Sequence, residues 1–212
     1  APLLSDGEIV ALPAVIGLKD RQAHTDLSAK LGHPVFEIPL PPPSVPGIRL
    51  NEALSATAKA AGVRFVPGVR TVSFRASDGR VDGVTIATEP AGREFTADAF
   101  VLAGGGFESG ALAMDSYGRV RETLFDLPLE GLDATPLLHA DYWGDPQPLF
   151  DIGVRVGQDL KPLDPSGTPV YANLWAAGGI LAGSPGWGEK SGDGVAVASA
   201  IGAADSILKE LA

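Results

Sequence analysis

The stretch AFVLAGGGFESGAL, Ala99–Leu112, sends an apolar strand straight into three successive glycines, and the fold turns on what those glycines are for. Phe100 to Ala103 shows no alternation with polar residues, which is the pattern of a strand buried on both faces of an α/β sheet. The glycines then form a phosphate-binding turn, leave a strand end that a large flat molecule can approach closely, or simply end the strand. A dinucleotide fingerprint needs G-x-G-x-x-G at a strand-to-helix turn, with an acidic residue about 20 positions on. Here Ser109 stands in place of the third glycine, ALAMDSYGRVRETLF does not read as a compact crossover, and Asp126 falls in a proline-containing loop. That frame fails.

A second stretch, NLWAAGGILAGSPGWGEKSGDGVAVASAIGAADSI from Asn173, repeats the grammar: buried strand, small residues, then a helix read from Val195 to Leu211. The helix end behind Gly192 and Gly194 offers free N–H groups and a positive dipole to a phosphate or an electron-rich ring edge. Two strand ends and a helix end can together wall a flat cofactor.

Working outward, KDRQAHTDLSAKLG reads as a helix closed by Gly32, and RLNEALSATAKAAG as one closed by Gly62. Between them the prolines at 39, 41, 42, 43 and 46 predict a stiff, extended crossing segment, helix and central strand both being forbidden. RFVPG, VRTVSFRAS, RVDGVTIAT and REFTADAFVLA alternate as strands, with SDGR and EPAG as turns. Residues 111–170 are loop-rich, with a short hairpin set toward their end. The fold class expected is α/β: a mixed α+β layer over 1–95, and over 96–212 a part built on the two glycine-ended strands and the closing helix.

With 212 residues, 45% hydrophobic and 20% charged, the chain has the composition of a soluble globular protein. A formal net charge of −10 sets nucleic acid and anionic membrane surfaces aside as partners. There is no cysteine, so any redox role needs a bound cofactor rather than a thiolate or an iron–sulfur cluster held by this chain. His24, His33 and His139 are dispersed without ligand spacing, and no metal site is expected. Neither a spanning helix nor a signal peptide is read, so a cytoplasmic location is the default expectation. The tryptophans 143, 175 and 187 read as core or rim aromatics.

ADAFVLAGGGF resembles the second cofactor-contacting strand of flavoproteins of the fumarate reductase and glycerol-3-phosphate dehydrogenase type, and NLWAAGG with its glycine-rich sequel resembles their C-terminal flavin motif. More specifically, PAVIGL, VFEIPLPPPSVPGIRL, GGFESGAL, RETLFDLPL, PQPLFDIGV and NLWAAGGILAG, in that order, resemble the B subunits of anaerobic, quinone-linked glycerol-3-phosphate dehydrogenases.

The resemblance implies an FAD/NAD(P)-binding-like, Rossmann-like fold, with this chain matching the C-terminal portion and lacking the N-terminal GxGxxG unit; residues 1–95 would then be a substrate-side layer and 96–212 the C-terminal part of the flavin-binding domain. It implies a flavin, FMN or FAD, in a polypeptide that works with a catalytic A subunit and a membrane-anchoring, iron–sulfur C subunit. Electrons from glycerol 3-phosphate, oxidised to dihydroxyacetone phosphate, would pass to menaquinone, and the flavin-bearing polypeptide would sit at the inner face of the membrane through its partners. Flavin neighbours carried over are Gly105, Gly106, Phe107, Gly178, Gly179, Gly192, Asp193, Gly194 and Val195. Arg49, Arg119, Arg121 and Lys190, in or beside the matching words, are the candidates for an anionic substrate; no catalytic residue is assigned. A fumarate reductase or ketosteroid-dehydrogenase-like flavoenzyme, or a protein that only relays electrons or scaffolds its partner, are the alternatives. Because the chain opens on Ala1 in mid-pattern and lacks the phosphate-binding turn, the expectation is that these residues by themselves carry no flavin and self-associate.

Overall fold

The computed structural model describes residues 4–41, 43–88, 91–141 and 144–212. Pro42, the Glu89–Pro90 half of the EPAG turn and Trp143 lie outside them, as does the side chain of Trp187. The chain divides into two compact units, Ala1–Pro67 and Gly68–Ala212.

The first unit runs β1 (Val10–Pro13), α1 (Ala23–Leu31), β2 (Val35–Ile38) and α2 (Val45–Ala60). β1 and β2 pair in parallel, from Val10 opposite Val35 to Pro13 opposite Ile38. Ala14 and Val35 are buried. His24 Nε2 lies 2.9 Å from the Val35 carbonyl, and Ser28 Oγ donates to the His33 carbonyl at 2.8 Å, so α1 is pinned to the entry of β2. The proline-rich segment differs from its reading in two ways. VFEI is a strand, since none of its residues is proline and all can pair. α2 begins at Val45, before the helical spacing resumes, because Pro46 occupies the first turn, where a missing N–H has no intrahelical partner to lose. Ser44 caps that turn by accepting the Gly47 N–H at 3.2 Å.

The second unit opens with an antiparallel sheet, β3 (Thr71–Ser77), β4 (Arg80–Ile86) and β5 (Arg93–Phe95), with β4 central. Asp78 and Gly79, both at positive φ, close the β3–β4 hairpin at the predicted SDGR turn. RFVPG forms no strand, and the single run expected over 93–103 is two strands, β5 and β6 (Phe100–Leu102), which serve different sheets. There follow β7 (Leu112–Met114) and β8 (Val120–Glu122) as a hairpin, β9 (Leu129–Glu130), a 3-10 turn at Pro148–Asp151, and β10 (Gly153–Val154) paired with β9. β11 (Leu174–Ala176) pairs in parallel with β6 and is succeeded by α3 (Gly186–Glu189) and α4 (Gly192–Leu211), which starts three residues before the predicted Val195.

The division at 67/68, not at 95/96, has a specific cause. Val81 of β4 joins the same buried cluster as Leu102, Leu112, Phe125, Ile152 and Leu174. The Asn173 side chain, 2% exposed, accepts the Val81 N–H at 2.8 Å and donates to the Val81 carbonyl at 2.9 Å. Burial on both faces holds for β11, whose Leu174, Trp175 and Ala176 are buried, but not for β6. Val101 on β6 is 47% exposed, so one face of that strand is left uncovered by the described residues.

Replacing Asn173 with Ala would leave two buried backbone groups unpaired, and each such group costs about 1–3 kcal/mol. Urea unfolding of Asn173→Ala is expected to show a loss of roughly 2 kcal/mol or more, whereas an unchanged midpoint would contradict the role of this side chain as the tie between the two sheets.

Candidate functional site

The parallel register of β6 and β11, Phe100 opposite Leu174 and Leu102 opposite Ala176, brings the two glycine segments out at the same end of the sheet. There they face each other. A Cβ built on Gly106 would lie 3.3 Å from the Gly179 carbonyl oxygen, a distance at which the neighbour has to give way. Gly105 and Gly178 bend the two segments at φ +74° and +78°, a region L side chains rarely adopt. The first turn is closed on itself: Ser109 Oγ donates to the Gly104 and Gly106 carbonyls, and the Ala111 and Leu112 N–H groups reach the Gly106 carbonyl at 3.1 and 3.2 Å. The second is fastened to α4, because Ser199 Oγ accepts the Gly178 N–H at 2.8 Å while donating to the Val195 carbonyl at 2.6 Å.

A cavity of about 470 Å³ opens at this junction. Of the predicted cofactor neighbours, Gly106, Phe107, Gly179, Gly192 and Val195 line it. Leu112, Leu149, Phe150 and Ile152 add an apolar wall, with Glu108 and Ser184 as the polar side chains. Gly105 and Gly178 shape its rim through their bends, while Asp193 and Gly194 occupy the first turn of α4. The Ser191 side chain bonds to Glu189 and does not cap α4, so the helix start is left without a side-chain acceptor for its first N–H groups. The wall of Leu149 and Ile152 is set by a close approach at Gly153, where a Cβ would come within 2.5 Å of the Ala182 nitrogen. Val154 then exchanges hydrogen bonds with Ile180 and Ala182.

The anionic-substrate candidates do not gather here. Arg119 and Arg121 sit on the β7–β8 hairpin, and Arg119 is paired with Asp115 at 2.9 Å. The Arg119 backbone N–H, with those of the turn and its guanidinium, holds the Asp115 carboxyl below the usual carboxylate range. Lys190 ends α3 in a left-handed conformation. Arg49 belongs to the first unit, in an ion pair with Glu37 at 2.6 Å. Among the described residues no group of three or more potential ligands could hold a metal ion. Trp175 is core, as expected, with Nε1 donating to Ser206 Oγ at 3.0 Å and Lys161 over its ring.

Several contributors escaped the sequence reading, Glu108, Leu112 and Ser184 among them. Leu149, Phe150 and Ile152 lie in a stretch with no period of its own, and their one signal was the word PQPLFDIGV. Ser199 gives no local signal, since a serine inside a helix more often faces solvent.

Two side-chain-free backbone segments, an apolar wall and an uncapped helix start make a cradle for a flat aromatic body whose electron-rich edge meets the helix. An isoalloxazine ring has that shape and polarity, so these residues fit a flavin.

Comparison with known proteins agrees. The family described as FAD binding domain matches residues 1–195. A protein of Halobacterium salinarum, named as the probable B subunit of anaerobic glycerol-3-phosphate dehydrogenase, is 36% identical over 205 residues, 96% of this chain and 48% of that protein. Proteins named as the B subunit of the same enzyme are 33% identical in Yersinia pseudotuberculosis, over 99% of this chain and 49% of theirs, and 33% in Pectobacterium carotovorum, over 98% and 49%. The chain thus spans about half the length of these relatives. No solved structure gives a significant match.

Gly106→Val would place a branched side chain against the Gly179 carbonyl, in the space the cradle keeps clear. In an intact subunit the variant is expected to unfold cooperatively yet lose its flavin absorbance on purification; a yellow protein with unchanged flavin stoichiometry would contradict the assignment.

Proposed function

This chain belongs to the FAD binding domain family, and from that premise we propose that it is the flavin-holding portion of the B subunit of an anaerobic glycerol-3-phosphate dehydrogenase. The observation that carries the reading is the cavity where Gly106, Gly179 and the start of α4 converge. The names of its relatives support the choice of substrate.

A bound flavin supplies the two-electron acceptor for oxidising the secondary alcohol of glycerol 3-phosphate to the ketone of dihydroxyacetone phosphate. The chain's own residues do the rest of the work. Gly106 and Gly179 admit the ring by presenting backbone where a side chain would collide. The free N–H groups of the first turn of α4, at Gly192, Asp193 and Gly194, would present partial positive charge to an electron-rich ring edge, and Val195, whose N–H bonds the Ser191 carbonyl, would line the cavity beside them. Phe107, Leu112, Leu149, Phe150 and Ile152 exclude water from the ring face. Residues 68–212 form the flavin side in this reading.

The electrons leave through other polypeptides to menaquinone, with a catalytic A subunit and an iron–sulfur C subunit as partners. Those partners would hold this one at the cytoplasmic membrane face. No helix among the described residues is long and apolar enough to cross a membrane itself.

The test is anaerobic and spectroscopic. In the assembled complex, glycerol 3-phosphate is expected to bleach the flavin band near-stoichiometrically, and succinate is expected to leave it unchanged. Bleaching by a carbon–carbon-bond substrate, with none by glycerol 3-phosphate, would move the protein to the fumarate-reductase-like reading. The flavin released on denaturation is expected to run as FAD on chromatography, and FMN would contradict the family's cofactor.

A further inference from the structure

Among the described residues that line the cavity at the glycine junction, Glu108 has the one ionisable side chain. Its backbone is fixed from both sides. Ser109 Oγ ties the turn to the Gly104 and Gly106 carbonyls, and the Gly110 N–H donates to the Phe107 carbonyl at 3.1 Å. The Ala111 and Leu112 N–H groups close the turn onto the Gly106 carbonyl. The Glu108 side chain takes no part in this. It is exposed, and it makes no hydrogen bond or ion pair among the described residues.

The charged residues of the neighbouring elements do not offset it. Asp151 of the 3-10 turn, Glu189 and Lys190 at the end of α3, and Asp193 in the first turn of α4 all stand near the cavity in sequence, but none of them lines it. Glu108 thus brings an unpaired carboxylate to a wall otherwise made of Phe107, Leu112, Leu149, Phe150 and Ile152. It also follows directly on Gly106 and Phe107, the residues that would border a bound ring. A ring seated there displaces water from beside the carboxylate, and a charge acts more strongly across protein than across bulk water.

Two opposed fields then meet at the ring. The free N–H groups at the start of α4 favour electron density on it, and the Glu108 carboxylate disfavours it. We propose that Glu108 sets the reduction potential of the flavin bound in this cavity, its negative charge lowering that potential so that the reduced ring gives up its electrons more readily. The inference rests on the flavin reading above and assigns Glu108 no part in removing hydrogen from the alcohol. It suits a polypeptide whose electrons leave through partners.

Potentiometric titration of the flavin-loaded subunit, followed by the flavin absorbance band, tests the assignment without turnover. Gln keeps the shape of the side chain and removes its charge, Lys reverses the charge, and Asp retains it. At a fixed ambient potential, E108Q is expected to raise the ratio of reduced to oxidised flavin roughly tenfold, about 30 mV for a two-electron couple. E108K is expected to move further in the same direction, and E108D to stay closer to the wild type than E108Q. The gap between wild type and E108Q is expected to narrow as salt is raised. Because the side chain makes no bond within the fold, thermal unfolding of the variants is expected to match the wild type, so a failure to fold does not cloud the comparison. Potentials unchanged in both E108Q and E108K would overturn the proposal, and so would a shift in E108D as large as that in E108Q, which would make shape the cause and not charge. A wild-type subunit that holds no flavin would sink the flavin reading and this inference together, whereas a bound flavin whose potential ignores residue 108 sinks this inference alone.

Discussion

The parallel pairing of β6 with β11 is the constraint on which the second unit is built. Two short strands from positions more than 70 residues apart in sequence are held in one register, and that register delivers Gly106 and Gly179 to the same end. Parallel pairs of three residues have little stability of their own, so the register must be fixed from outside. Asn173 does this at the entry to β11 by exchanging two hydrogen bonds with Val81 of the antiparallel sheet. Ser199 does it at the exit by holding the Gly178 N–H against α4. The glycine cradle is thus the open end of a pair that is tied down at both of these points.

Selection for shape at this end is written in backbone rather than in side chains. The residues that would hold a flavin are mostly glycines and helix N–H groups, and the side chains that complete the cavity are mainly apolar. That is consistent with a protein whose task is to position and shield a reactive ring while the ring supplies the chemistry. It also explains why no catalytic residue could be named from the sequence: the described residues place no dense cluster of acids and bases around this cavity. The first unit is the opposite case. It has a hollow lined by long charged side chains on and beside a helix face, with the half-buried carboxylate of Glu37 paired to one of them.

The sequence by itself determined the elements with local causes. Gly32 ends α1 in the left-handed conformation, Asp78–Gly79 makes the hairpin turn, and both glycine-ended strands and the closing helix are where the pattern puts them. Each depends on backbone preferences of a few adjacent residues, which a single sequence displays. It misread Pro46, because a proline is forbidden inside a helix but welcome in its first turn, and only the position of Ser44 as cap distinguishes the two. It also misplaced the division of the chain: the alternating strands of β3–β5 look alike whichever core receives them. Tertiary structure alone decided that Val81 shares a core with Leu174, that Leu149 and Ile152 form the cavity wall, and that Arg119 and Arg121 stay on a hairpin while Arg49 faces a hollow. These are contacts between segments far apart in sequence. Nothing in the local pattern of either partner records which surface the other will bury.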